Sequence, residues 1–290
     1  MQNQEMSTAY SDAVARFNKS QYKILPRKLF QKRQFQAFCI GTPKSGTHSV
    51  DTLCSAYRSR HEPDEKFMIS FISQLKNGQV STQDAIDILK KRDYHHWLEM
   101  ESSHYCGEII EPLYEAFPKA QYILTVRDCV SWVDSWFNHQ LARKRLPEDS
   151  IFSIGRANYY DMGLSYSRHD RFLEELGLYP LKAYLTYWAN RNAGVLNTIA
   201  PSQLLILQTN QISKQASLLA SFLGIQPGTL QLEKAHQFKA KEKFHIINRI
   251  DKHYLEDSFE EICGEVHSQT FPEVSINGLI EKKLARADVA

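Results

Sequence analysis

The chain lacks any run near the ~20 consecutive apolar residues that a membrane-spanning helix needs. Its start, MQNQEMSTAYSDAVARF, lacks the apolar core of a signal peptide, so a cytoplasmic rather than a secreted protein is expected. No sign of charge dominates. Lys and Arg number 35, Asp and Glu 33, a formal net charge of +2 that is too balanced for a protein coating nucleic acid. Any anion site must therefore be a local concentration of positive charge. Cysteine is sparse. Cys39, Cys54, Cys106, Cys129 and Cys263 form no C-x-x-C pair, so a thiolate metal site is not expected. They read as small, reduced, buried side chains. Internal repeats and low-complexity linkers are missing too. Hydrophobic residues at 42% and charged residues at 23% exclude a disordered chain, a collagen-like repeat and a coiled coil.

What is present is a series of short apolar strands, each leading into a helix. QAFCIG ends at Gly41, and THSVDTLCSAY follows with Val50, Leu53 and Cys54 at helical spacing. QYILTV, residues 121–126, precedes a helix whose Trp132, Val133, Trp136 and Phe137 make one broad apolar face. Leu204 to Leu207 form a third strand. Ile212, Ala216, Leu219, Phe222 and Leu223 then line a helix that Gly224 can cap. This alternation predicts an α/β fold with a mostly parallel sheet flanked by helices. The polar residues 1–34 read as an N-terminal arm ending in Lys23, Arg27, Lys28, Lys32 and Arg33. Residues 35–290 read as a single domain with a loop-rich insertion over 142–180.

The segment GTPKSGTHS, Gly41 to Ser49, joins a buried strand to a helix. A glycine-bounded turn there aims backbone N–H groups inward, and the helix start adds partial positive charge. That suits a phosphate or sulfate group. Lys44 lies inside the turn, and Ser45, Thr47 and Ser49 add hydroxyls. It is not a Walker A loop, because Thr47 stands where that motif has lysine.

With strand, turn and lysine in view, PKSGT resembles the 5′-phosphosulfate loop of sulfotransferases that use 3′-phosphoadenylyl sulfate (PAPS). That family carries an arginine at a strand end and a serine eight residues on, both holding the 3′-phosphate. Arg127 closes ILTV here, and Ser135 lies eight residues later. A weaker likeness is LLILQTNQI followed by FLGI, although Thr209, Asn210 and Gln211 replace the family's Tyr-Glu-Asp. The resemblance spans residues 35–225. The RKGxxGDW stretch of the vertebrate cytosolic enzymes is missing, and Lys239, Lys241 and Lys243 are the candidates for its positive charge.

The resemblance implies transfer of a sulfuryl group from PAPS to a hydroxyl or amine of a small-molecule acceptor, releasing 3′-phosphoadenosine 5′-phosphate (PAP), with no metal. Lys44 would balance charge on the leaving phosphate. Thr47 and His48 would bind the 5′-phosphate, Ser45 and Gly46 the adjoining oxygens, and Arg127 and Ser135 the 3′-phosphate, with Ser49 a further cofactor-binding hydroxyl and Lys241 adding charge. Glu62, in HEPDE, resembles the glutamate base of carbohydrate- and peptide-modifying members; His104, in ESSHYCGE, resembles the histidine base of the cytosolic type. His61 is a third candidate. Pro63 biases Glu62 toward an extended backbone, so His61 and Glu62 should point opposite ways. Tyr159, Tyr160, Asp161 and Tyr166 would suit an aromatic, acidic lid over a cationic or polar acceptor. The runs HEPDE and ILTVRDCVSWVDS look like stand-alone bacterial enzymes that tailor natural products, those acting on saxitoxin-type alkaloids being one candidate. The alternatives are a magnesium-dependent small-molecule kinase on the same fold, and a PAP- or PAPS-binding protein without catalysis.

Overall fold

A computed structural model describes residues 8, 10–19, 31–143, 147, 148, 150–234 and 243–285. In chain order the elements are a helix over 10–19 (α1), β1 (Ala37–Cys39), α2 (Thr47–Leu53), β2 (Ser59–His61), α3 (Glu65–Lys76) and α4 (Thr82–His96). Then come β3 (Met100–Ser102), α5 (His104–Gly107), α6 (Ile110–Ala116), β4 (Gln121–Val126) and α7 (Cys129–Leu141). The last set is α8 (Ile151–Tyr160), α9 (Phe172–Glu175), α10 (Leu181–Thr198), β5 (Leu204–Gln208), α11 (Ala216–Leu223), α12 (Lys252–Thr270) and α13 (Ile276–Ala285).

The five strands pair in parallel throughout, in the order β2-β3-β1-β4-β5. The central strands read as continuous apolar runs because both faces are covered. Phe38 and Ile40 enter the larger core with Tyr122, Leu124 and Val126. Ala37, Cys39 and Ile123 face the opposite way, into a smaller core shared with Val50, Leu53 and Leu219. Helices α2 and α11 cover that second face, while α3, α4, α7, α10 and α12 cover the first. All five cysteines are buried free thiols. Among the described residues no helix is long and apolar enough to cross a membrane.

Two details depart from the sequence reading. Ile212 lies before α11 rather than on it, although it is buried in the same core. The 142–180 stretch contains α8, whose Tyr159 and Tyr160 are 6% and 1% exposed. They pack among Tyr184, Tyr187 and Trp136 and are not an exposed lid. An aromatic pair on a helix facing apolar neighbours gains more from burial than from water contact.

Candidate active site

In an open parallel sheet, ligands bind beyond the carboxyl ends of the strands, where the order of connections reverses. Here β1 is the strand whose neighbours, β3 and β4, lead to opposite edges. The carboxyl ends carry the loop after Cys39, then His61 and Glu62, His104, Arg127 and Thr209. Sequence-distant candidates thus arrive at one edge through parallel pairing alone.

The loop from Gly41 to Thr47 is tightly braced. Lys44 takes a left-handed backbone, φ 66°, and Gly46 takes φ 110° as the cap before α2. No side chain caps that helix start, which leaves its first turn open to an anion. The Ser45 hydroxyl is fully buried, 2.6 Å from the Thr42 carbonyl and 2.8 Å from the Thr125 hydroxyl. It therefore braces the loop from inside. The Trp132 indole N–H donates to the Pro43 carbonyl at 2.7 Å. The Thr209 hydroxyl reaches the Ser45 carbonyl and, at 3.0 Å, the Val126 carbonyl. It fastens the loop to the ends of β4 and β5.

Positive charge gathers above this loop. Burial, then the guanidinium groups of Arg127 and Arg143, push the Lys44 ammonium pKa down. Burial pushes Arg127 down as well, against the opposing pull of Asp128 and Asp134. His139 falls to about 4 through burial, Arg143 and Lys44. A bound anion would relieve this mutual repulsion. Ser135 is 8% exposed in the second turn of α7, next to Asp134, which pairs with Lys283 of α13. Lys239 and Lys241 lie outside the described residues. Lys243 is exposed, and the following Phe244 N–H donates to Asn138 of α7 at 2.6 Å. Thr47 lies 3.2 Å from His61 Nε2, and His48 Nδ1 lies 3.1 Å from the Thr52 hydroxyl. Ser49 is half-buried on α2.

The candidate bases come together. His104 Nδ1 is 2.6 Å from Glu62 Oε1, and His61 Nε2 is 3.7 Å from the same oxygen. Glu62 and His104 are thus one hydrogen-bonded pair. The expected extended backbone at Glu62 is overturned: its φ is 47° and that of Asp64 is 58°. Left-handed residues other than glycine cost roughly 1–3 kcal/mol each unless their surroundings hold them. The turn swings Glu62 back toward β3, so His61 and Glu62 converge instead of diverging. Burial pushes the Glu62 carboxyl up, but His104, His61 and Arg143 outweigh it and hold it at about 2. Tyr105 and Tyr159 flank the His104 ring, with centroids at 3.9 and 6.2 Å.

Arg143, His139 and Thr209 are the site residues that motif reading passed over. Arg143 follows α7 in a stretch without periodicity, and no spacing rule reaches it. Thr209 was legible only as a departure from a family pattern.

Comparison with curated proteins gives no match. A solved sulfotransferase from Alicyclobacillus acidocaldarius is similar, with TM-score 0.48, 13% identity, 84% of this chain covered and 98% of that one. A sulfotransferase domain from the curacin biosynthetic pathway is similar with TM-score 0.41, 14% identity, 88% of this chain and 97% of that one. The family model described as the sulfotransferase domain matches residues 104–227, a span that includes His104, Arg127 and Ser135 and begins beyond the loop and Glu62. Over that span the chain is similar to the sulfotransferase domain, the domain of an enzyme family.

Proposed function

We propose that the chain transfers a sulfuryl group from PAPS to a hydroxyl or amine of a small molecule and releases PAP. The observation that carries this reading is the meeting, at one sheet edge, of the Lys44 loop, Arg127 and the Glu62–His104 pair. The residues fit such a donor. The uncapped start of α2, the left-handed Lys44 and the clustered cations suit its 5′-phosphate. Arg127, with a planar fork, suits a 3′-phosphate beside Ser135.

When bound, PAPS supplies a sulfuryl group already activated for transfer. Lys44 balances negative charge that grows on the bridging oxygen, so its effect is largest in the transition state. Ser45 contributes through the loop backbone, because its hydroxyl is turned inward. Thr47 and His48 line the same loop. Glu62, held as a carboxylate, keeps the proton of His104 on Nδ1 and so leaves Nε2 free to take the acceptor's proton. Glu62 then orients and His104 accepts. The acceptor is a polar or cationic natural product, saxitoxin-type alkaloids among them, and the buried Tyr105 and Tyr159 rings hold the His104 ring in place for it. Five buried thiols accord with a reducing cytoplasm.

The test is thermal. PAP should raise the melting temperature, because a ligand that binds only the folded chain stabilises it. AMP should do far less, for want of the 3′-phosphate. Equal shifts from the two nucleotides would overturn the reading.

A further inference from the structure

Helix α4 turns a buried stripe of Ala85, Ile88 and Leu89 toward the core, and the next position on that stripe is Arg92. Its side chain is 2% exposed. A charge so deeply placed is costly unless every partner is in position. Its partners are specific. Nη1 donates to Glu101 Oε2 at 2.6 Å, and Nη2 donates to the Pro63 carbonyl at 2.8 Å. Nε lies 3.5 Å from Asp64 Oδ2. One turn on, His96 Nε2 meets that same oxygen, and Arg16 of α1 reaches Asp64 Oδ1 at 3.3 Å.

Apart from Glu101 on β3, what these groups grip belongs to the turn between β2 and α3. That turn contains two left-handed residues, Glu62 and Asp64, with Pro63 between them. The Glu62 N–H is tied to the Ser102 carbonyl at 3.0 Å, so the turn is pinned on the β3 side as well. Released from Arg92 and Asp64, Glu62 would relax toward the extended backbone that a following proline favours. Its carboxylate would then leave His104.

We propose that Arg92, acting through the Pro63 carbonyl and the Asp64 carboxylate, is a positioning residue that keeps Glu62 on His104 Nδ1. This rests on the reading of Glu62 and His104 as the proton-accepting pair, and it assigns the reason for a buried arginine remote from the phosphate loop.

The test uses the full chain labelled with ¹⁵N-histidine. Long-range ¹H–¹⁵N correlation reads which ring nitrogen of His104 carries the proton, and His104→Gln identifies its signals. Arg92→Lys keeps the charge but cannot span Glu101, Pro63 and Asp64 together. Asp64→Asn keeps the shape, and asparagine tolerates the left-handed backbone. Both variants should move the His104 ring signals in the direction that Glu62→Gln moves them, while PAP affinity, measured by calorimetry, stays unchanged. A loss of stability alone would leave the His104 signals of the folded chain where they are. Wild-type His104 signals in folded Arg92→Lys and Asp64→Asn overturn the proposal. If Arg92→Lys does not fold, Asp64→Asn decides. Absence of PAP binding to the wild type would instead sink the sulfotransferase reading and leave the ring signals to be judged separately.

Discussion

Gly41 and Thr125 stand so close across the β1–β4 seam that a Cβ on Gly41 would lie 2.1 Å from the Thr125 hydroxyl oxygen and 2.3 Å from its carbonyl oxygen. The hydroxyl could turn away, but the carbonyl belongs to a paired central strand. Gly41→Ala should therefore destabilise the chain by about 1–3 kcal/mol, the usual range for overpacking. Urea denaturation measures it. Adding Thr125→Ala should recover only part of the loss, because the carbonyl remains; full recovery would show that the backbone contact is harmless.

Lys44→Ala separates binding from chemistry. The charge it meets is larger in the transition state than in the ground state, so turnover should fall more than PAPS binding weakens. Steady-state kinetics with any acceptor that supports turnover provide the measurement. Unchanged kcat with only a raised KM for PAPS would remove Lys44 from the chemical step.

Arg127→Met keeps much of the side-chain bulk and discards the guanidinium. The difference between the melting-temperature shifts given by PAP and AMP should shrink toward zero, because only the 3′-phosphate distinguishes the two nucleotides. A difference that survives would move the 3′-phosphate contact elsewhere.

His104→Ala should lower turnover by about 10²–10⁴-fold, the usual worth of general acid–base catalysis, with PAP binding intact. Glu62→Gln should cause part of that loss, since the imidazole remains but its Nδ1 proton is no longer held by a carboxylate. If Glu62→Gln is the more damaging of the two, the carboxylate itself takes the proton.

Acid should weaken the fold through the same turn. Glu62 and Asp64 are each held at about 2; burial opposes this, and His104 and His96, respectively, lead the groups that outweigh it. Their ordinary values are ~4.3 and ~3.9. A folded value below the unfolded one adds stability above the unfolded value, and that stability is lost as pH falls through the folded value. Stability should thus decline between pH ~4.3 and pH about 2, and less steeply in Glu62→Gln and Asp64→Asn. Denaturation curves across that range that run parallel to wild type would contradict it.

The most legible part of the fold was the strand covered on both faces: QYILTV announced β4, because a central parallel strand reads as a near-continuous apolar run. The apolar run from Leu204 announced β5 as well, although β5 is an edge strand buried at alternate positions. Strands β2 and β3, SRH and MES, are three residues each and mostly polar. Neither has length or period enough to be read, and the buried Glu101 is met by Arg92 and by the Cys106 thiol. At the site, Lys44 stood out inside its glycine-bounded turn, and Arg127 and Ser135 stood out through the family resemblance. The Glu62–His104 contact did not, since it joins residues 42 apart through β2–β3 pairing and a backbone that proline rules disfavour. Arg143 and Thr209 act through position in space alone.

The indole of Trp132, bonded to the Pro43 carbonyl and stacked on Tyr187 and Trp136, sits one residue from Lys44 along the loop. An excited indole shifts its emission with the local field, and under the proposed function a highly charged nucleotide at Lys44 would change that field. The loop would then have its own optical reporter, and PAP entry would be followed in real time by intrinsic fluorescence, with no label and no acceptor present.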